Sequence, residues 1–152
     1  MDEERARIEK DIQSWGCHVI RVPEDDEGPG FAFSIGFHER FDHPEVIVTG
    51  LPLDLMHDIV NGIAEVLLEG KRYEVGQRYG EILDAYECAF VEVDRSFYYD
   101  FLGTARWYYG NDDFDVLQCV WPDRDGRYPW DDACAPGLVE AQPLLNRPDA
   151  SS

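Results

Sequence analysis

Four short stretches of the chain hold residue types that can do chemistry. Ala32-Phe33-Ser34-Ile35-Gly36 is one glycine short of the Gly-x-Ser-x-Gly nucleophile elbow, in which a sharp strand-to-helix turn lifts a serine hydroxyl. Here Phe31, Phe33, Ile35 and Phe37 alternate with Ala32, Ser34 and Gly36 straight through the serine. That pattern reads as a strand whose small face must lie against something close. Cys17 and His18 set a thiol beside a base, but strand neighbours project to opposite faces, so a dyad would need His38, His43 or His57 from elsewhere. His38, His43 and Glu45, with Asp42 between them, are metal-capable groups in one connection. Pro44 denies them helical His-x-x-x-His geometry, so only an irregular loop site is open to them. Asp123-Arg124-Asp125-Gly126 opens like a calcium loop but lacks the third ligand position and the closing glutamate; Asp125-Gly126 is more simply a turn.

The elements that must position these groups follow from periodicity. Ile8, Ile12 and Trp15 place one narrow apolar stripe on a solvated first helix that Gly16 ends. CHVIRV is a strand candidate, PEDDEGPG a loop, FAFSIGF a strand, HERFDHP a polar connection, and EVIVTGL a central strand covered on both faces. PLDLMHDIVNGIAEVLLEG is the core helix, with Leu55, Ile59, Ile63 and Val66 at helical spacing and Gly70 as its stop. KRYEVGQRYGEILDAYE fits neither period and reads mostly as loop, with a short strand near Tyr73. CAFVEV is a strand. SFYYDFLGTARWYY is an aromatic helix with Ser96 as N-cap and Gly110 as stop. FDVLQCVW is the last strand, and WPDRDGRYPW is a hairpin tip stiffened by its two prolines, with both indoles folded back on the globule.

Without regular strand-helix alternation, these elements predict an α+β domain: a mainly antiparallel twisted sheet of about five strands, with about three helices packed mostly on one face. A single globular domain spans residues 1–146, and residues 147–152 form a frayed tail. With 13 Lys plus Arg against 32 Asp plus Glu, the formal charge is −19, which opposes nucleic acid and anionic membrane. No apolar run approaches the length of a membrane span and the charged N-terminus is unlike a secretory signal, so the expected compartment is the cytoplasm. Cys17, Cys88, Cys119 and Cys134 form no Cys-x-x-Cys pair and read as reduced thiols.

Taken together, Gly16-x-His18-Val19-Ile20, Phe31 to Phe37, His43-Pro44-Glu45, Gly50-Leu51-Pro52, Leu117-Gln118, Trp121-Pro122-Asp123, Asp125-Gly126-Arg127, Pro129-Trp130 and Gln142-Pro143-Leu144-Leu145 resemble the bacterial domain of unknown function 4262 family over residues 15–145. The resemblance brings no catalytic residue or cofactor. It implies that polar motif residues sit at strand ends, so that His18, Glu45, Gln118, Asp123 and Gln142 could converge on a groove walled by Trp121, Trp130 and Tyr108. The competing account is that Gln118 and Gln142 satisfy backbone groups while Asp123 caps its own turn.

Two functions remain open. The first is a non-catalytic binding or protein-interaction module, without cofactor, whose partner is a protein or a small polar molecule; its oligomeric state is not legible. The second is a small hydrolase or metal-assisted enzyme using His18, His38, His43, Glu45 and Asp123, which requires at least two of those side chains within hydrogen-bond reach.

Overall fold

The computed structural model describes residues 2–147, so all but the first residue of the expected C-terminal tail lies outside the described residues. In chain order the elements are α1 (Asp2–Trp15), β1 (His18–Val22), β2 (Phe31–Ile35), α2 (Phe37–Phe41), β3 (Glu45–Thr49), α3 (Leu53–Leu68), β4 (Arg78–Leu83) and β5 (Tyr86–Glu92). A 3-10 turn (Arg95–Phe97), α4 (Tyr98–Phe101), α5 (Gly103–Tyr109), β6 (Val116–Val120) and α6 (Pro136–Ala141) complete it. The six strands form one sheet in the order β1-β2-β3-β6-β5-β4. Every neighbouring pair is antiparallel except β3 and β6, which run parallel at the centre.

β3 and β6 are buried along their whole length, as a nearly continuous apolar run requires of a strand covered on both sides. Helices cover both faces of the sheet, which corrects the expectation of a one-sided arrangement. α3 lies on the face that carries Ala32, Val46, Val48, Leu117 and Cys119. On the opposite face Phe33, Ile35, Ile47 and Val116 meet Ile8 and Ile12 of α1 and the aromatic segment of α4 and α5. The small side chain of Ala32 belongs to the α3 face, where β2 needs room for a helix to approach. The aromatic segment supplies the second layer by burying Tyr98, Leu102, Ala105 and Tyr108 there.

Among the described residues the sheet has six strands where about five were expected, and there are six α-helices and a 3-10 turn where about three helices were. β4 escaped notice because it is an edge strand exposed over much of its length, so no apolar alternation marks it; Tyr73 precedes it and lies in no strand. HERFDHP holds the short helix α2. The aromatic helix breaks at Leu102, and its start is capped by Asp94, whose carboxylate accepts from Ser96 N at 3.0 Å and Ser96 Oγ at 2.6 Å. Gly110 ends it as expected.

Trp121–Trp130 is a closed loop and not the tip of a β-hairpin, since no strand returns from it. Asp123 N donates to Arg127 O at 2.7 Å, and the chain then runs on to α6. Two tight approaches hold the periphery. A Cβ on Gly36, at φ 129°, would come within 2.7 Å of Ile12 Cγ1, so α1 seats directly on the β2-α2 junction. One on Gly50, at φ 82°, would come within 2.2 Å of Ala141 O, where α6 ends against β3.

Candidate functional site

Most of the polar side chains singled out in the sequence hold the backbone together. Glu45 opens β3 fully buried, and its carboxylate accepts from Ser34 Oγ at 2.6 Å, Gly36 N at 3.0 Å, Phe37 N at 3.1 Å, His38 N at 3.1 Å and the Tyr109 hydroxyl. Burial pushes this carboxyl above its usual range, while the hydrogen bonds from Ser34, Tyr109, His38 and Gly36 pull it back. Burial and the Glu45 charge in turn raise the Tyr109 phenol far above its ordinary value. Ser34 is spent in the same cluster: its Oγ also accepts Val46 N at 3.0 Å.

His43 is a satisfied core imidazole. Nδ1 donates to Pro44 O at 2.7 Å and Nε2 accepts Tyr73 N at 3.1 Å, which fixes one tautomer, and burial lowers its pKa. The ring of His38 stands edge-on to Tyr109 with centroids 5.2 Å apart. Its bond to Glu45 runs through the backbone N–H. His38, His43 and Glu45 therefore share a locality without pooling their side chains. No group of three or more His, Cys, Asp or Glu among the described residues is placed to hold a metal ion.

Gln118 and Gln142 form an amide clamp on the C-terminal segment. Gln118 Nε2 donates to Pro143 O at 2.9 Å and its Oε1 accepts Leu145 N at 2.9 Å. Gln142 Oε1 accepts Trp121 N at 2.8 Å and its Nε2 donates to Trp121 O at 2.8 Å. Each side chain thus mimics a strand neighbour for a backbone that has none. The Trp121 indole donates to Thr49 O at 2.8 Å. Asp123 accepts Asp125 N and Arg127 N, each at 2.9 Å, and Ala135 N at 3.3 Å, closing its own loop; these bonds hold its carboxyl below its usual range. Tyr108 donates to Glu39 at 3.0 Å, and Trp130 stacks on Tyr128 at 4.8 Å. The structure joins Gln118, Gln142 and Trp121 in one network, and places Glu45, Tyr108, Asp123, Trp130 and His18 apart from it.

His18 lines a groove with two carboxylates and a second imidazole. It lies between the end of α1, the edge strand β1 and the outer side of α3, encloses about 560 Å³, and is bordered by Asp11, Trp15, His18, His57, Asn61 and Glu65. Nδ1 of His18 donates to Asp11 Oδ2 at 2.7 Å, which orients the ring and leaves Nε2 as its other polar atom. Across the groove Asn61 Nδ2 lies 3.2 Å from His57 Nδ1 and 3.4 Å from Nε2. Trp15, 66% exposed, and Leu68, 45% exposed, give it an apolar edge. Cys17 lines the groove but is buried there, and its thiol is pushed well above its ordinary value by burial, reinforced by Glu45 and Asp11. A thiol so held stays protonated and is no nucleophile.

Asp11, Trp15, Asn61 and Glu65 were not legible as site residues, and His57 entered only as a possible partner for Cys17, although their spacing carried a signal. His57, Asn61 and Glu65 recur every fourth residue on the polar side of the core helix, and Asp11 and Trp15 stand four apart on the first. Two helices with such stripes, flanking a strand that begins with histidine, are the pattern to look for.

No helix among the described residues is long and apolar enough to cross a membrane. A family model described as "Domain of unknown function (DUF4262)" matches residues 11–135. No curated protein and no solved structure matches the chain.

Proposed function

Because the chain belongs to the DUF4262 family, whose description carries no activity, we propose from the geometry that it is a non-catalytic binding domain. Its ligand is a small polar molecule with a flat apolar part, taken into the groove between α1, β1 and α3. One observation carries this reading: Glu45, His43, Gln118, Gln142 and Asp123 are consumed by backbone groups, whereas His18, His57, Asn61 and the Trp15 indole line a single groove. An open indole gives a stacking surface, and imidazole and amide groups fix orientation by hydrogen bonds.

The test is imidazole-detected NMR of the whole chain titrated with a collection of small polar aromatic compounds. Binders should shift the ring resonances of His18 and His57 together and change Trp15 fluorescence, and His57→Ala should weaken them. Binders that shift neither imidazole would remove the basis for this reading.

A second reading, acid-base hydrolysis, is favoured by one contact, the Asp11 carboxylate on His18 Nδ1, which is how a general base is oriented. It predicts turnover of chromogenic carboxyl or phosphate esters that falls in Asp11→Asn with the fold intact. Equal rates in both proteins would dispose of it.

A further inference from the structure

Over the β5 end of the sheet, the face opposite α3 carries only a small buried group, Ala89, Val120 and Tyr128, with Val91 and Leu144 against it. A groove of about 370 Å³ opens there, bordered by Val75, Arg78, Val91, Trp130, Leu144 and Arg147. Val75 is 53% exposed and Trp130 41% exposed, so two large apolar side chains meet water at its rim. Trp130, Tyr128 and Arg78 form a stacked column: the two rings are 4.8 Å apart and 7° from parallel, and the Arg78 guanidinium lies 4.4 Å from the Tyr128 centroid.

The charge of this groove runs against that of the molecule. In a chain of formal charge −19 its charged lining is two arginines and no carboxylate. Two other cavities have the opposite character: one of about 750 Å³ is lined by Glu24, Asp25 and Glu140, and one of about 410 Å³ by Asp25, Glu27 and Asp100, neither with a basic side chain. Interfaces concentrate their energy in Trp, Tyr and Arg around a desolvated apolar centre, while rim charges choose the partner by complementarity. A basic partner would be drawn to the acidic surface elsewhere and repelled here.

We propose that this groove is a docking surface for an acidic segment of a partner protein, which inserts an apolar side chain between Trp130, Val91 and Leu144 and sets its carboxylates on Arg78 and Arg147. This surface is separate from the imidazole groove and stands whether or not that groove binds a small molecule.

The probe is a synthetic heptapeptide alternating glutamate with valine and phenylalanine, with a second peptide carrying lysine for glutamate as control, each titrated into the isotope-labelled chain. The glutamate peptide should shift the amides of Val75 and Val91 and the Trp130 indole, and the lysine peptide should not. Arg78→Glu combined with Arg147→Glu should weaken binding about tenfold or more. Should the double variant fail to fold, Arg147→Glu, at an exposed position beyond the last strand, serves alone and should weaken binding in the same direction. Stronger binding of the lysine peptide, shifts confined to other surfaces, affinity indifferent to charge reversal, or self-association that protects these same residues would each overturn the proposal.

Discussion

Glu45 is the residue on which the β2-α2-β3 corner turns, because five donors converge on one carboxylate in a site closed to water. Whichever way it is turned, an amide there would aim its NH2 at a backbone N–H, Phe37 on one side or Gly36 and His38 on the other, which can only donate. Glu45→Gln is therefore expected to cost about 2–4 kcal/mol, read as a lower urea midpoint. His43 sets a pH dependence. Its folded pKa is lowered by burial, so between its unfolded value and that lower one the unfolded chain binds the extra proton. Its contribution is complete above about pH 6.5 and is lost as pH falls below that value. The expected result is a loss of thermal stability from neutral toward about pH 5 that is smaller in His43→Gln. At this scale the sequence placed Gln118, Gln142 and Asp123 among its candidates while also stating that they satisfy backbone groups and cap a turn. Their bonds have that form, because amide and carboxylate side chains at strand ends face unpaired backbone. The groove around His18 was only half legible: it takes side chains from two helices 46 residues apart, from Asp11 to His57, and periodicity within one helix says nothing about what it will face.

Elements marked by burial were readable and those marked by exposure were not. The core helix, the central strand and the last strand announce themselves because each hides a regular apolar set. β4 has no such set, and α2 is only five residues long, held in place by the Glu45 carboxylate at its start more than by its own composition. The aromatic segment predicted as one helix divides at Leu102, whose backbone (φ −116°, ψ 31°) leaves the helical region just before Gly103. Two glycine substitutions test element packing in opposite directions. Gly50→Ala would drive a methyl group into the end of α6 and should lower stability by about 2–4 kcal/mol. Gly62→Ala, inside α3 with nothing within 4 Å of the new methyl, should raise it by about 0.5–1 kcal/mol. Thermal denaturation of the two variants beside the parent decides both.

For the whole molecule, the charge excess acts through self-repulsion, and salt shortens its reach from about 30 Å at 0.01 M to about 8 Å at 0.15 M. The melting temperature should accordingly rise with sodium chloride over that range, and a flat or falling profile would mean that the carboxylates are already neutralised by their surroundings. Composition made this charge plain; the second helical layer was hidden because aromatic residues do not declare which side of a sheet they will cover. The family match begins at residue 11 and ends at residue 135, yet Ile8, Leu138, Gln142 and Leu145 are buried outside those limits. The core thus extends beyond the residues that the family model matches. A recombinant fragment cut at residues 11 and 135 would strip the amide latch from Trp121 and uncap one end of the interior, and such a fragment should come out of cells as insoluble material while the span from residue 2 to residue 147 stays in solution.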